Sequence, residues 1–120
     1  MQNGHAVLSK YAAGDITAAP AWTQDLGDLA AGGSIGGLTV SGGKVYVSGA
    51  TSNGNLTGGG ASIAVGASGG IDAFVYSATD NGTSVSGDTV SYIGTSGSDR
   101  AGDVIVAADG TIYVTGSTTG

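Results

Sequence analysis

The sequence predicts an all-β fold built from short antiparallel strands. Glycine supplies 25 of the 120 residues and, together with one proline, interrupts nearly every window before two helical turns could form. Short apolar or alternating runs recur instead, bounded by Gly, Asn, Asp and Ser, and this pattern is typical of strands joined by turns. The third observation is an internal repeat with a period near 67 residues.

The core available to these strands is thin. Val, Ile, Leu and Phe supply only 24 residues, whereas Gly, Ala, Ser and Thr supply 69. Disordered chains have a similar shortage of large apolar residues, but they normally also carry high charge, and only 12 residues are charged here. We therefore expect an ordered, Gly-rich β protein whose core consists mainly of β-branched side chains.

Eight strands are predicted, each bounded by turn residues. They span residues 6–11, 23–26, 37–40, 44–48, 73–78, 89–93, 103–107 and 111–115, and a ninth with a weaker pattern spans 62–65. Two hairpin turns follow from local chemistry, at Ser41-Gly42-Gly43-Lys44 and at Ala108-Asp109-Gly110. Both permit the positive φ that matches the twist of paired strands.

The internal repeat relates the two halves of the chain strand by strand. Residues 4–8 match 71–75 at an offset of 67, residues 36–40 match 102–106 at 66, and residues 45–51 match 112–118 at 67. The changes of offset fall in predicted turns, as expected if strands are the repeated objects. One period holds four strands but exceeds the roughly 40 to 50 residues of a typical propeller blade, because residues 50–72 form a Gly/Ser-rich insertion.

The second copy of the repeat resembles a known family. Residues 69–75, Gly-Gly-Ile-Asp-Ala-Phe-Val, and the hairpin within residues 94–118 look like the SBBP β-propeller repeat of large bacterial surface and secreted proteins. Thr111 stands where that repeat usually has Asn. The first copy is more divergent, with His5 at the Asp position and Ser41-Gly42-Gly43 at the turn.

The resemblance implies β-propeller blades of four antiparallel strands, with inner strands A and B and outer strands C and D. The chain is then a single propeller segment. Residues 1–34 form a C–D half blade, residues 35–94 a full blade (strands at about 37–93) containing the insertion 50–72, and residues 95–120 an A–B half blade.

Each half blade leaves an unpaired strand edge, and such edges recruit partners. The A–B half blade of one copy is complementary to the C–D half blade of another. The expected partner is therefore a second copy, in a homo-oligomeric ring or filament, or the neighbouring blades of a longer parent chain.

Charge and residue content exclude several classes of function. The net charge is −6, and three cations give no electrostatic footprint for nucleic acid or anionic lipid. Without cysteine there is no disulfide framework, thiol nucleophile or thiolate zinc site. No apolar run approaches the roughly 18 to 20 residues of a membrane helix, so no membrane insertion is expected. Residues 1–5 lack the basic and apolar regions of a secretory signal peptide.

The polar residues suggest no catalytic constellation. His5, the only histidine, has no nucleophile or orienting partner at useful spacing, and its repeat counterpart is Asp72. Asp72 is expected to fix the Gly69-Gly70 turn through an Asx-type hydrogen bond. We predict no catalytic, cofactor-binding or metal-ligating residues and no cofactor.

Asp99 and Asp103 are the strongest candidates for calcium ligands. Gly97-Ser98-Asp99 is faintly similar to the calcium repeat of extracellular β-rolls, and carboxylates with loop carbonyls are the ligands that calcium prefers. The motif occurs once, without tandem copies. Turn capping and solubility are therefore the favoured roles.

The aromatic residues and glycine clusters have structural interpretations. Tyr46 and Tyr113 occupy equivalent positions in the repeat, where packing between neighbouring sheets is favoured over sugar binding. Trp22 is either an exposed ligand contact or a hydrophobic lid. The clusters at residues 58–60 and 69–70 lack the strand, helix and lysine of a phosphate loop, so they are predicted to be flexible connectors.

The favoured function is a non-enzymatic structural or interaction module. It is a β-propeller tandem-repeat segment of a bacterial extracellular or cell-surface protein, a rigid platform or spacer with a role in adhesion, which assembles head-to-tail through complementary half blades. The alternative is a glycan- or calcium-binding propeller that recognises its ligand through loops at one rim. An enzyme is disfavoured because no nucleophile, base or metal cluster can be assembled.

Overall fold

The computed structural model describes residues 4–56, 62–65, 67, 70–95 and 97–119. These residues form nine strands and no helix, which confirms the all-β prediction. The strands are β1 (His5–Lys10), β2 (Trp22–Asp28), β3 (Ser34–Ser41), β4 (Lys44–Thr51), β5 (Ser62–Val65), β6 (Asp72–Asp80), β7 (Val85–Ile93), β8 (Asp99–Val106) and β9 (Ile112–Thr118). Within the described ranges, accordingly, no helix has the length and apolarity to cross a membrane.

The strands form three separate sheets. A hairpin of β1 and β2 comes first, a five-stranded sheet in the order β3-β4-β6-β7-β5 follows, and a hairpin of β8 and β9 comes last. All neighbouring strands are antiparallel except β5, which pairs parallel to β7. We call these the N-terminal hairpin, the central sheet and the C-terminal hairpin.

The fifth strand of the central sheet corrects the prediction of four antiparallel strands. Residues 62–65 lie within the predicted insertion and pair with β7, with Ser62 opposite Thr89 and Ile63 opposite Val90. A strand edge left open presents unpaired N–H and C=O groups, and β5 satisfies those of β7. The insertion is also shorter than predicted, because β4 continues to Thr51 and β6 begins at Asp72.

Both predicted hairpin turns are present, and they explain a change in repeat offset. Gly42 and Gly43 both have positive φ, 57° and 78°, as a two-residue turn between β3 and β4 requires. The turn between β8 and β9 is one residue longer. Its last residue, Gly110, has a φ of 90° and donates its N–H to the Ala107 carbonyl at 2.9 Å. This extra residue changes the offset from 66 to 67.

The internal repeat extends to strand register. The β8–β9 pairs reproduce the β3–β4 pairs, at an offset of 66 on the first strand and 67 on the second. The equivalent pairs include Leu38↔Val47 with Val104↔Val114, Thr39↔Tyr46 with Ile105↔Tyr113, and Val40↔Val45 with Val106↔Ile112. Both hairpins are also bulged at the same place, at Gly36 and at Gly102.

The β1–β2 and β6–β7 pairs repeat in the same way. Four consecutive pairs of β1–β2 correspond to pairs of β6–β7 at an offset of 67. They are Val7↔Asp25 with Phe74↔Tyr92, Leu8↔Gln24 with Val75↔Ser91, Ser9↔Thr23 with Tyr76↔Val90, and Lys10↔Trp22 with Ser77↔Thr89. We call two residues equivalent when these offsets relate them.

The central sheet has apolar neighbours on both faces. β4 and β6 are therefore buried on both sides along most of their length, whereas β1 alternates between exposed and buried residues. One face packs against the N-terminal hairpin in a core cluster that includes Leu8, Trp22, Leu26, Val45, Val47, Phe74, Tyr76 and Val90. The opposite face packs against the C-terminal hairpin through a smaller cluster of Tyr46, Val75 and Val104.

Candidate interaction surfaces

Asp80 anchors the N-terminal hairpin to the central sheet. Its carboxylate accepts a hydrogen bond from the Trp22 indole Nε1 at 3.0 Å and pairs with the Lys10 ammonium Nζ at 2.9 Å. The Gly82 amide donates to the same carboxylate. Hydrogen bonding to Lys10, followed by that to Gly82 and Trp22, lowers the pKa of Asp80 to about 2.

Trp22 is therefore part of the core. Only 8% of it is exposed, and its ring lies in the cluster between the two sheets. Of the two interpretations left open by the sequence, this burial favours the hydrophobic one. The hydrogen bond to Asp80, 58 residues away, satisfies the indole N–H that burial would otherwise leave without a partner.

The equivalent tyrosines Tyr46 and Tyr113 have opposite environments. Tyr46 is 8% exposed and packs between the central sheet and the C-terminal hairpin, as predicted. Tyr113 is 55% exposed, and so is its cross-strand neighbour Ile105, at 58%. The outer face of the C-terminal hairpin therefore carries an uncovered apolar surface, which we call the Tyr113 face.

A second uncovered surface lies on β3. Leu38 and Val40 are 55% and 63% exposed, whereas the equivalent Val104 is 1% exposed and Val106 is partly buried. Leu38 and Val40 lie opposite Val47 and Val45, which are buried beneath the N-terminal hairpin. This Leu38 face continues the central core beyond the area that the N-terminal hairpin covers.

Two strand edges accompany these faces. In the described part of the chain, β9 pairs only with β8 and β1 only with β2. In the central sheet, by contrast, the equivalent strands β4 and β6 pair with each other over eight residues, from Lys44↔Thr79 to Thr51↔Asp72. β9 and β1 are therefore equivalent to two strands, β4 and β6, that pair with each other within the central sheet.

Clefts lie beside the edge of β9. A cleft of about 370 Å³ has Ala73, Ile93 and Gly116 in its wall, and a second of about 270 Å³ lies between Val75 and Val114. Both clefts open between strands β6 and β7 of the central sheet and the C-terminal hairpin. In the equivalent space, beside β4 and over the N-terminal hairpin, lie Phe74 and Tyr76 of β6.

His5 forms an exposed ion pair with Asp25, an orienting partner that the sequence analysis did not identify. Its Nδ1 lies 3.0 Å from Asp25 Oδ1 across the β1–β2 hairpin, and both side chains are about half exposed to solvent. The hydrogen bond and charge of Asp25 raise the pKa of His5, and the same contact lowers the pKa of Asp25.

Asp72 and Asp99 converge on Gly94, an arrangement the sequence analysis missed. Both carboxylates are buried, and a Cβ on Gly94 would clash with Asp72 Oδ1 and lie 3.1 Å from Asp99 Oδ2. Asp99 accepts a hydrogen bond from the Thr95 amide at 2.7 Å, as a turn-capping residue does. Hydrogen bonds from the Thr118 hydroxyl and from Thr95 lower the pKa of Asp99.

The structure gives the two proposed calcium ligands different environments. Asp99 is buried, whereas Asp103 is exposed and accepts a hydrogen bond from the Val104 amide at 2.8 Å. Among the residues that the structure describes, no three His, Cys, Asp or Glu side chains are grouped to hold a metal ion. The predicted connector at residues 58–60 lies outside those residues, as does Gly69 of the turn assigned to Asp72.

The Leu38 face also escaped the sequence analysis, although a signal for it was present. The repeat aligns Leu38 and Val40 with Val104 and Val106, so the same strand position is apolar twice. Asking which neighbour covers each copy would have identified the uncovered one.

For comparison with known proteins, no protein-family model matches the chain, and no curated protein matches it.

Proposed function

We propose that this chain is a non-enzymatic structural or interaction module, a β-propeller segment whose copies associate head-to-tail. The central sheet is a full blade with an added outer strand, and the two hairpins are half blades. The C-terminal hairpin of one copy joins the N-terminal hairpin of the next, and together they form a further blade. The assembly is a ring if the rotation closes and a filament if it does not.

The observation that carries this proposal is the contrast between Tyr46 and Tyr113. The two residues occupy the same position of the repeat, and Tyr46 is buried where a further hairpin packs on its sheet. Tyr113 lies on a face that no hairpin covers in the described part of the chain, and burying such a side chain removes a large apolar area from water. Leu38 shows the same contrast on β3, because it is exposed whereas its equivalent Val104 is buried.

The proposed placement outside a bacterial cell, with a role in adhesion, rests on the resemblance to SBBP repeats. The low charge and the richness in Gly, Ser and Thr agree with an extracellular repeat array. No observation on the described residues favours the glycan- or calcium-binding alternative over this one.

The proposal is tested by the mass of the protein in solution. Light scattering over a wide range of concentration should report species larger than the monomer for the natural sequence. Tyr113→Ser should shift the population toward monomer, because it removes the apolar side chain that the next copy would cover. Monomer at every concentration for the natural sequence would contradict the proposal.

Ile16 provides a matched control. It is 77% exposed in the loop between β1 and β2, outside both faces. Ile16→Ser removes an exposed apolar side chain of similar size and should leave the oligomer distribution unchanged. If Ile16→Ser and Tyr113→Ser reduce association equally, the Tyr113 face is not the contact.

A further inference from the structure

The central sheet provides a template for the contact between copies. Within it, β4 pairs with β6 so that Val47 lies opposite Tyr76 and Ser48 opposite Val75. β9 is equivalent to β4, and β1 is equivalent to β6, and each has an edge to which the described chain adds no strand. The same pairing is therefore available between β9 of one copy and β1 of another.

We propose that β9 pairs antiparallel with β1 of a second copy in this one register. Val114 then lies opposite Ser9, Thr115 opposite Leu8, and Thr118 opposite His5. The completed sheet has the order β8-β9-β1-β2, with the first two strands from one copy and the last two from the next. This inference rests on the proposed head-to-tail association and specifies its geometry.

The first cleft beside β9 supports the register. In the central sheet the Phe74 ring lies against Gly49, in one cluster with Ala6 and Leu26. The residues equivalent to Gly49, Ala6 and Leu26 are Gly116, Ala73 and Ile93, and all three line the cleft of about 370 Å³. The residue equivalent to Phe74 is Val7, which is 58% exposed, so the proposed register brings Val7 of the second copy into this cleft.

The second cleft gives the same answer independently. Tyr76 in the central sheet packs in one cluster with Leu8 and Val47. The equivalents of those two neighbours are Val75 and Val114, which line the cleft of about 270 Å³. Ser9 is equivalent to Tyr76 and enters this cleft in the proposed register. A shift of one residue would turn both side chains to the opposite face of the sheet.

The register also covers the two apolar faces. Completing the sheet places the Tyr113 face of one copy over the Leu38 face of the next, because Tyr46 contacts Val104 in the same relation inside the chain. Tyr113 is identical to its equivalent Tyr46, and Leu38 corresponds to Val104. A second copy therefore supplies the apolar cover that each face lacks.

Disulfide trapping tests the register, since the chain has no cysteine of its own. Ser9→Cys with Val114→Cys places two thiols directly opposite each other, within the Cα separation of about 4.4–6.8 Å that a disulfide needs. Ser9→Cys with Ile112→Cys is the matched control, because this pair is two residues out of register on the same face, at about 7–8 Å. Within one copy the central sheet separates β1 from β9, so any disulfide joins two copies.

The expected result is a ladder of linked copies for Ser9→Cys/Val114→Cys on a non-reducing gel, and monomer for the control. A second pair at exposed positions, His5→Cys with Thr118→Cys, repeats the test if the first variant folds poorly by circular dichroism. Two results would overturn the register but not the head-to-tail association: the protein associates in solution and the control forms a ladder, or the protein associates and neither register pair forms one. A natural sequence that is monomeric at all concentrations would overturn both.

Discussion

At the scale of single residues, Asp80 joins two sheets that have no strand pairing between them. Its carboxylate contacts Lys10 and Trp22 of the N-terminal hairpin while it ends β6 of the central sheet. These contacts favour the charged carboxylate and hold its pKa near 2, below the ordinary value of 3.8. A group whose pKa is lower in the folded state stabilises the fold fully above the unfolded pKa, and that contribution is lost as pH falls toward the folded pKa.

Asp80→Asn should therefore lower the thermal midpoint at neutral pH and flatten its dependence on pH between about 4 and about 2. The measurement is circular dichroism melting of both proteins across that range. The other aspartates titrate in both proteins, so the difference between the two curves isolates Asp80. If the thermal midpoints of the two proteins change with pH in parallel, the Asp80 carboxylate is not the source of this pH dependence.

Gly116 illustrates a close approach that requires the absence of a side chain. A Cβ there would clash with the carbonyl oxygen of Arg100, across the bulged hairpin. Gly116→Ala should destabilise the protein by about 1–3 kcal/mol, since the backbone must shift to admit the methyl group. Gly102→Ala in the same hairpin meets only ordinary contacts at 3.7 Å and should be nearly neutral. Urea unfolding compares the two variants, and equal losses would contradict the steric explanation.

At the scale of elements, the sequence predicts the turns and strands that are determined by residues close together in the chain. The turns at Gly42-Gly43 and at Gly110 were predicted because their positive φ values are a local property of glycine. Eight strands were predicted because alternation and bounding turns are also local.

The rest of the fold depends on contacts between distant residues. The parallel pairing of β5 with β7, the Trp22 to Asp80 hydrogen bond and the convergence of Asp72 and Asp99 on Gly94 each join residues far apart in the chain. Periodicity carries no information on such partners. The repeat shows which strand positions are apolar twice, but which copy of each position is covered depends on the packing of distant elements.

The β3–β4 turn offers a prediction at this scale. Asn tolerates the φ of 57° observed at Gly42 and is the preferred first residue of a two-residue hairpin turn. Gly42→Asn should stabilise the protein by about 0.4–1 kcal/mol, because it restricts the unfolded chain without straining the folded one. Chemical denaturation measures the change, and a loss of stability would show that Asn does not fit this turn.

At the scale of the whole molecule, the proposed contact between copies would be a smaller version of the contact within the chain. Val7 and Ser9 stand where the central sheet has Phe74 and Tyr76, so the clefts beside β9 receive shorter side chains. The association is therefore expected to be weaker than the internal packing, and restoring the larger residues should strengthen it.

Val7→Phe with Ser9→Tyr is the corresponding variant. Each larger side chain buries further apolar area in a cleft and should add about 1–2 kcal/mol to association, which lowers the Kd by at least about tenfold. Sedimentation velocity measures the Kd of the variant against the natural sequence. Monomer stability should change little, because Val7 is exposed within the chain and Ser9 loses only an exposed hydrogen bond to the Thr23 hydroxyl, 3.1 Å away. An unchanged Kd would mean that these side chains do not enter the clefts.

The short parallel strand β5 has a consequence for colloidal behaviour. It pairs with residues 89–91 of β7 and becomes the edge of the largest sheet, where unpaired amide and carbonyl groups can template the addition of foreign strands. A short edge strand offers few such groups, and this one is formed by four residues of a segment otherwise rich in glycine and serine. The central sheet therefore ends on that side in a strand of only four residues, whereas each of the four hairpin strands has six to eight.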